Sequence, residues 1–170
     1  LSSPTKEQLS FTYQMALTVL FRLLFIAYAE DRDLLPYKNN EAYRKRSLKQ
    51  KSIELAEAVL NNTGVSQGDH HWSEIVQIWE AVSRGNSEWG VPAYDGTIFS
   101  SDGTVSMGGA AIAQIRLPNK FFEEALRGLL LIESDDALYA PVDFRSLSVR
   151  EFGTIYEGLL ASELSLAEQN

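Results

Sequence analysis

Residues 15–29, MALTVLFRLLFIAYA, form the strongest apolar run in the chain, with Arg22 at its centre. A membrane-spanning helix needs about 20 mostly apolar residues, and arginine at mid-bilayer costs at least ~2.5 kcal/mol. A signal peptide carries its charge before the apolar stretch and small residues after it. Here the charged string Glu30-Asp31-Arg32-Asp33 follows instead. The run therefore reads as a core helix and not as a membrane segment. Its second half is apolar on nearly every face, so other elements must surround it. Ser3 and Pro4 suit its start, Ser as a hydrogen-bond acceptor and Pro as a first-turn residue. It runs to about Glu30. Leu34-Leu35-Pro36 closes the segment, because Pro cannot continue a helix and biases Leu35 away from helical angles.

Outward from this helix, the whole chain of 170 residues is 45% hydrophobic and 22% charged. That balance is globular and excludes wholesale disorder. The length fits one domain. The absence of cysteine excludes a disulfide scaffold, a Cys-ligated zinc or iron–sulfur centre and a thiol nucleophile. A net charge of −8 does not mark the chain as a whole as a nucleic-acid binder, although it leaves room for a local patch. Residue 1 is Leu, which reads as an internal piece of a longer chain.

The remaining periodicity is helical. A second helix is expected over 41–61, with Ile53, Ala56, Val59 and Leu60 on one stripe. Asn61-Asn62-Thr63-Gly64 then closes it. Asp69 is placed to cap a third, whose face is Trp72, Ile75, Val76, Trp79 and Val82 and whose stop is Gly85. Residues 83–109 hold Gly85, Gly90, Gly96, Gly103, Gly108 and Gly109, yet also Trp89, Val91, Tyr94, Ile98 and Phe99. A disordered linker lacks such large apolar groups, so this is read as a long ordered loop held to the core by its aromatics, with a turn at Asp95-Gly96. A short helix over 109–115 is weakly signalled. A fourth strong helix starts at Pro118-Asn119, carries Phe121, Phe122, Ala125, Leu126, Leu129 and Leu130, and ends at 133–136. Residues 138–144 are the best strand candidate. The last helix opens with the capping box Ser148-Val149-Arg150-Glu151, flanked by Leu147 and Phe152 at the staple positions. Its stripe is Phe152, Ile155, Tyr156, Leu159 and Leu160. The fold class is mainly α: one compact multi-helix bundle over 1–170 with a long Gly-rich loop and little or no sheet.

Few residues suggest chemistry. Asp69-His70-His71 could ligate a metal, but neighbouring side chains on a helix diverge by about 100° and no third ligand stands at useful spacing. The string reads as a solvated helix start with an Asp cap. Glu30-Asp31-Arg32-Asp33 could serve acid–base work, yet a charged helix terminus has the same composition, and it is read as one. Met107-Gly108-Gly109-Ala110 lacks the spacing of a phosphate cradle, and no Ser, His and Asp arrangement suggests a hydrolase. No catalytic, cofactor-binding or metal residue is assigned. Residues 38–51 carry Lys38, Arg44, Lys45, Arg46, Lys49 and Lys51 against Glu41 alone. A solvated helix face has this composition, and so does a surface for DNA phosphates. On the second reading Arg44, Lys45, Arg46, Lys49 and Lys51 are the DNA-backbone candidates. Residues 133–170 are strongly acidic and should avoid phosphates.

Four segments in order, LFRLLFIAYAEDRDLLP (20–36), VPAYDGTIF (91–99), LPNKFFEEALRGLL (117–130) and VDFRSLSVREFGTIYEGLL (142–160), resemble the helical region of large bacterial adenine-specific DNA methyltransferases. These include the type IIG restriction–modification enzymes and related phage-defence methyltransferases. The resemblance implies a helical connector between an N-terminal nuclease part and the methyltransferase core, in a cytoplasmic bacterial enzyme that meets DNA. It implies S-adenosylmethionine for the parent, and magnesium if a nuclease is present, with neither bound by this region. The family's Asn-Pro-Pro-Tyr and cofactor-binding motifs do not occur here, so no catalytic or cofactor residue carries over. Where the family tends to have Asn-Gly-Gly-Leu-Phe, this chain has Asp95-Gly96-Thr97-Ile98-Phe99. The alternative, from a different functional class, is a free-standing helical adaptor that binds protein partners.

Overall fold

The computed structural model describes residues 3–94, 96–133 and 138–161, with Leu160 described by its backbone. Helix α1 spans Lys6–Asp31. Its cap is Thr5, not Ser3. The Thr5 hydroxyl accepts from the Gln8 N–H at 3.2 Å and the Gln8 side chain accepts from the Thr5 N–H at 2.8 Å, a reciprocal pair that Ser3, three residues before Lys6, cannot form. By length and composition α1 is apolar enough to cross a membrane. Its second half is packed by protein: Leu23, Leu24, Ile26, Ala27 and Ala29 are buried. Asp33, at φ +59°, then turns the chain, and the Leu34 N–H returns to the Ala29 carbonyl at 2.8 Å.

The single helix expected over 41–61 is two, α2 (Glu41–Arg44) and α3 (Leu48–Leu60). Ser47 restarts the helix by accepting from the Gln50 N–H at 3.0 Å, and α1 supplies acceptors for the preceding two N–H groups, as described below. The buried stripe is also rotated. Packing on α1, on the helix at 119–130 and on the strand at 139–141 turns Leu48, Leu55 and Ala56 inward and leaves Leu60 exposed. Helix α4 (His70–Arg84) buries Trp72, Ile75, Trp79 and Val82 as its spacing predicts, and half-buries Val76. Gly85 stops it at φ +81°, where an added Cβ would lie 3.1 Å from the Ala93 nitrogen.

Between α4 and the next helix, Trp89, Val91 and Phe99 are buried, Asn86 and Val91 form an isolated bridge, and Thr97–Phe99 is a 3-10 turn. The Tyr94 hydroxyl donates to the Leu34 carbonyl at 2.6 Å. The expected turn at Asp95-Gly96 falls outside the described residues at Asp95. Helix α5 (Met107–Gln114) begins inside the stretch read as loop, because Ser106 caps it by accepting from the Gly109 N–H at 2.9 Å.

Helix α6 (Asn119–Leu130) buries Phe122, Leu126 and Leu130 and exposes Phe121. It stops at Leu130 rather than at 133–136, since Leu131–Glu133 (β1) pairs antiparallel with Tyr139–Pro141 (β2). Residues 134–136 lie outside the described set. The strand expected over 138–144 is β2, and Phe144–Ser146 is a second 3-10 turn.

Helix α7 (Val149–Leu160) opens with the capping box foreseen at Ser148 and Glu151. Its stripe is less buried than its spacing predicts: Phe152, Ile155 and Leu159 are half-buried and Tyr156 is 47% exposed. Helix α7 lies antiparallel on α1. Phe152 meets Tyr28 with ring centroids 5.5 Å apart, Tyr156 meets Phe21 at 5.0 Å, and the Tyr13 hydroxyl donates to the Leu159 carbonyl. Among the described residues the fold is mainly α, with one two-stranded sheet.

Candidate functional site

The end of α1 gathers a dense set of hydrogen bonds and ion pairs. Glu30 is buried, and its carboxyl accepts from the Tyr43 hydroxyl at 2.7 Å, the Leu48 N–H at 3.0 Å and the Lys49 N–H at 2.8 Å. It caps α3 from a different helix, filling two donors that a helix start otherwise leaves open. Burial pushes its carboxyl up to about 7, against the pull of the three hydrogen bonds. Asp31, also buried, accepts from the Lys49 ammonium at 2.6 Å and from the Phe144 N–H at 2.8 Å. Arg145 donates to the Asp31 carbonyl at 3.0 Å, and Arg32 donates to the Arg145 carbonyl at 2.9 Å. Asp33 pairs with Lys38 at 2.6 Å on the surface. The acidic string is a helix terminus as read, but two of its carboxylates are buried anchors rather than a solvated end. Each carboxylate is occupied by protein donors, so the string is arranged as a clasp joining α1 to α3 and to the turn before α7.

The same clasp consumes part of the basic segment. Lys49 is held by Asp31, and Lys51 pairs with Glu74 and, at 3.6 Å, with Glu54. Lys45 pairs with Glu41 at 2.8 Å, one helical turn away. Arg44 donates to the Tyr37 and Lys38 carbonyls. Arg46 donates to the Ala42 carbonyl and lies 4.9 Å from the Trp89 ring centroid. Arg44, Lys45 and Arg46 are exposed. The five DNA-backbone candidates thus divide: three stand on the surface between α2 and α3, and Lys49 and Lys51 serve packing.

The histidines divide: His70 is exposed, as expected of a solvated helix start, and His71 is not. His71 is buried, and Asp69 makes no side-chain capping bond. Asn119, fully buried at the start of α6, takes the capping role by accepting from the His71 N–H at 3.2 Å. Its amide also lies 2.8 Å from Nδ1 of His70 and 3.0 Å from the Ser66 hydroxyl. Glu123 completes the cluster, 3.4 Å from Nε2 of His71 and 2.6 Å from Arg127. Ser66 and Glu123 both face Nε2 of His71, whereas a nucleophile and an orienting acid would need opposite ring nitrogens. Among the described residues no group of three His, Asp or Glu could hold a metal ion. Sequence reading missed this cluster, since Asn119 and Glu123 lie far along the chain from the histidines. The one available signal was Glu123 and Asn119 at four-residue spacing on an otherwise apolar helical face.

One wide opening is apolar. A cleft of about 770 Å³ lies between α1 and α7, lined by Leu17, Phe21, Phe25, Ile98, Phe152 and Tyr156. A second apolar groove of about 320 Å³ runs along the other flank of α1, against Phe122, Ala125 and Leu129 of α6. Three of the quoted segments meet beside the cleft. Phe25 packs on Phe99 with centroids 5.3 Å apart, and Asp31 binds the Phe144 backbone. Comparison with protein-family models, curated proteins and solved structures gives no match to this chain.

Proposed function

We propose that this chain is a non-catalytic helical connector of a bacterial restriction–modification enzyme, set between a nuclease part and an adenine-specific methyltransferase. The reading rests on the resemblance of the four segments, three of which are neighbours in the fold. The observation that carries it is the open apolar cleft between α1 and α7. In this reading the apolar cleft is the face against which a neighbouring part of the enzyme packs. The antiparallel pairing of the two helices adds a mechanical consequence. The start of α1 and the end of α7 lie at the same end of the body, so in this reading their pairing sets where the neighbouring parts attach. The clasp at Glu30 and Asp31 ties the other end of α1 to α3 and to the turn before α7.

In this reading the parent is cytoplasmic and supplies the chemistry, binding S-adenosylmethionine and, with a nuclease, magnesium. This region contributes placement, and Arg44, Lys45 and Arg46 touch DNA phosphates. The reading frame after Asn170 tests the proposal. An Asn-Pro-Pro-Tyr-type motif downstream is the expected result. A stop codon directly after Asn170 overturns the connector and leaves the partner-binding adaptor. Methyl transfer to DNA by this chain alone, with S-adenosylmethionine supplied, also overturns it.

A further inference from the structure

We propose that Arg22 forms the floor of a binding site for a single free tetrahedral oxyanion, of the size of phosphate or sulfate, between the middle of α1 and the last turn of α4. The inference is independent of the connector reading. Two cations are buried among the described residues, Arg22 at 3% exposure and Lys51 at 8%. Lys51 has the carboxylates of Glu74 and Glu54. Arg22 has no carboxylate within ion-pair distance. Its Nε donates to the Ile98 carbonyl at 2.7 Å and its Nη2 to the Ser100 carbonyl at 3.1 Å, and its guanidinium lies 5.1 Å from the Trp79 ring centroid. Carbonyls and a ring face orient the group but do not neutralise it. Buried charges are otherwise paired.

Beside Arg22 is a cavity of about 50 Å³ whose polar lining is Glu80, Ser83, Arg84 and Ser101, closed by Trp79, Phe99 and Ile112. That volume suits one small anion and is too small for a nucleoside. The Arg84 side chain makes no ion pair or hydrogen bond with the described residues, and Ser83 and Ser101 bring hydroxyl groups. Glu80 is the one carboxylate in the lining, so two cations face one acid and the balance favours an anion.

The test is titration of inorganic phosphate into the chain at low ionic strength, read by calorimetry and by tryptophan emission, since Trp79 stands on the guanidinium. Saturable binding that sulfate competes away is expected. Arg22→Ala also frees the Ile98 and Ser100 carbonyls and can unfold the loop, so two surface variants carry the test. Arg84→Ala should weaken phosphate at least about tenfold, and Glu80→Gln should tighten it, both with an unchanged urea midpoint in phosphate-free buffer. No saturable binding in the wild type overturns the site, and so does binding that neither variant changes.

Discussion

The hydroxyl of Tyr43 donates to Oε1 of Glu30 at 2.7 Å, and both side chains lie inside the core. The bond joins the end of α1 to the short helix α2, while the same carboxyl caps α3. One buried acid therefore sets the angle between three consecutive helices. The following expectations come from that clasp and from the surfaces around it.

Glu30→Ala removes the acceptor of the Tyr43 hydroxyl and of the Leu48 and Lys49 N–H groups. An unmet buried donor costs about 1–3 kcal/mol. The unfolding free energy should fall by at least that much, read as a lower urea midpoint with little change in slope. Glu30 also has a pH signature. Unfolded, it loses its proton near 4.5; folded, it keeps it to about 7. Between those values the folded state binds more protons, so this group's contribution is full below about 4.5 and fades as pH rises to 7. The stability difference between wild type and Glu30→Ala should shrink over that window, and a flat difference would contradict the assignment.

His71 acts in the opposite direction. Burial, with Lys51 and His70 nearby, holds its imidazole below the ordinary value of 6.5, against the raising effect of Glu123. Below 6.5 the unfolded chain binds the extra proton first. The contribution is full above about 6.5 and is lost as pH drops through the folded value. His71→Gln should remove this acid-side loss from a series of urea midpoints.

Ser148→Ala removes the hydroxyl that accepts from the Glu151 N–H at 3.2 Å. The loss should be about 1 kcal/mol, and amide exchange should rise first in the opening turn of α7. An unchanged midpoint would mean that α7 is not held by its cap.

The proposed DNA contact predicts weak binding to a duplex that declines steeply with salt. Changing Arg44, Lys45 and Arg46 together to Glu should abolish it, measured by fluorescence anisotropy. Changing Lys49 should instead lower stability, because its ammonium is committed to Asp31. Unchanged DNA affinity in the triple variant at low salt would remove the contact.

Local signals in the sequence were legible where the physics is local. The capping box at Ser148 and Glu151, the stop at Gly85 and the Trp72, Ile75, Trp79 and Val82 face of α4 are each specified within a few residues, and each stands as read. The break at Ser47 was not legible, because the acceptor that completes the new helix start is Glu30, on another helix. Asp69 lost the cap of α4 to Asn119 for the same reason. The end of α6 moved back to Leu130 because β1 found a strand partner beyond it. Arg22 entered the sequence reading only as an argument against a membrane helix. Its contacts with Ile98 and Ser100 need the folded chain to be seen.

The connector account is tested most directly at the cleft between α1 and α7. The chain has no cysteine, so Tyr156→Cys gives one labelling site on a residue that stands half exposed beside Phe21. The measurement is the rate of thiol modification in this chain and in the same chain joined to its flanking sequence. The account predicts rapid labelling of the first and strong protection of the second. Equal rates would show that nothing covers the cleft and would contradict it.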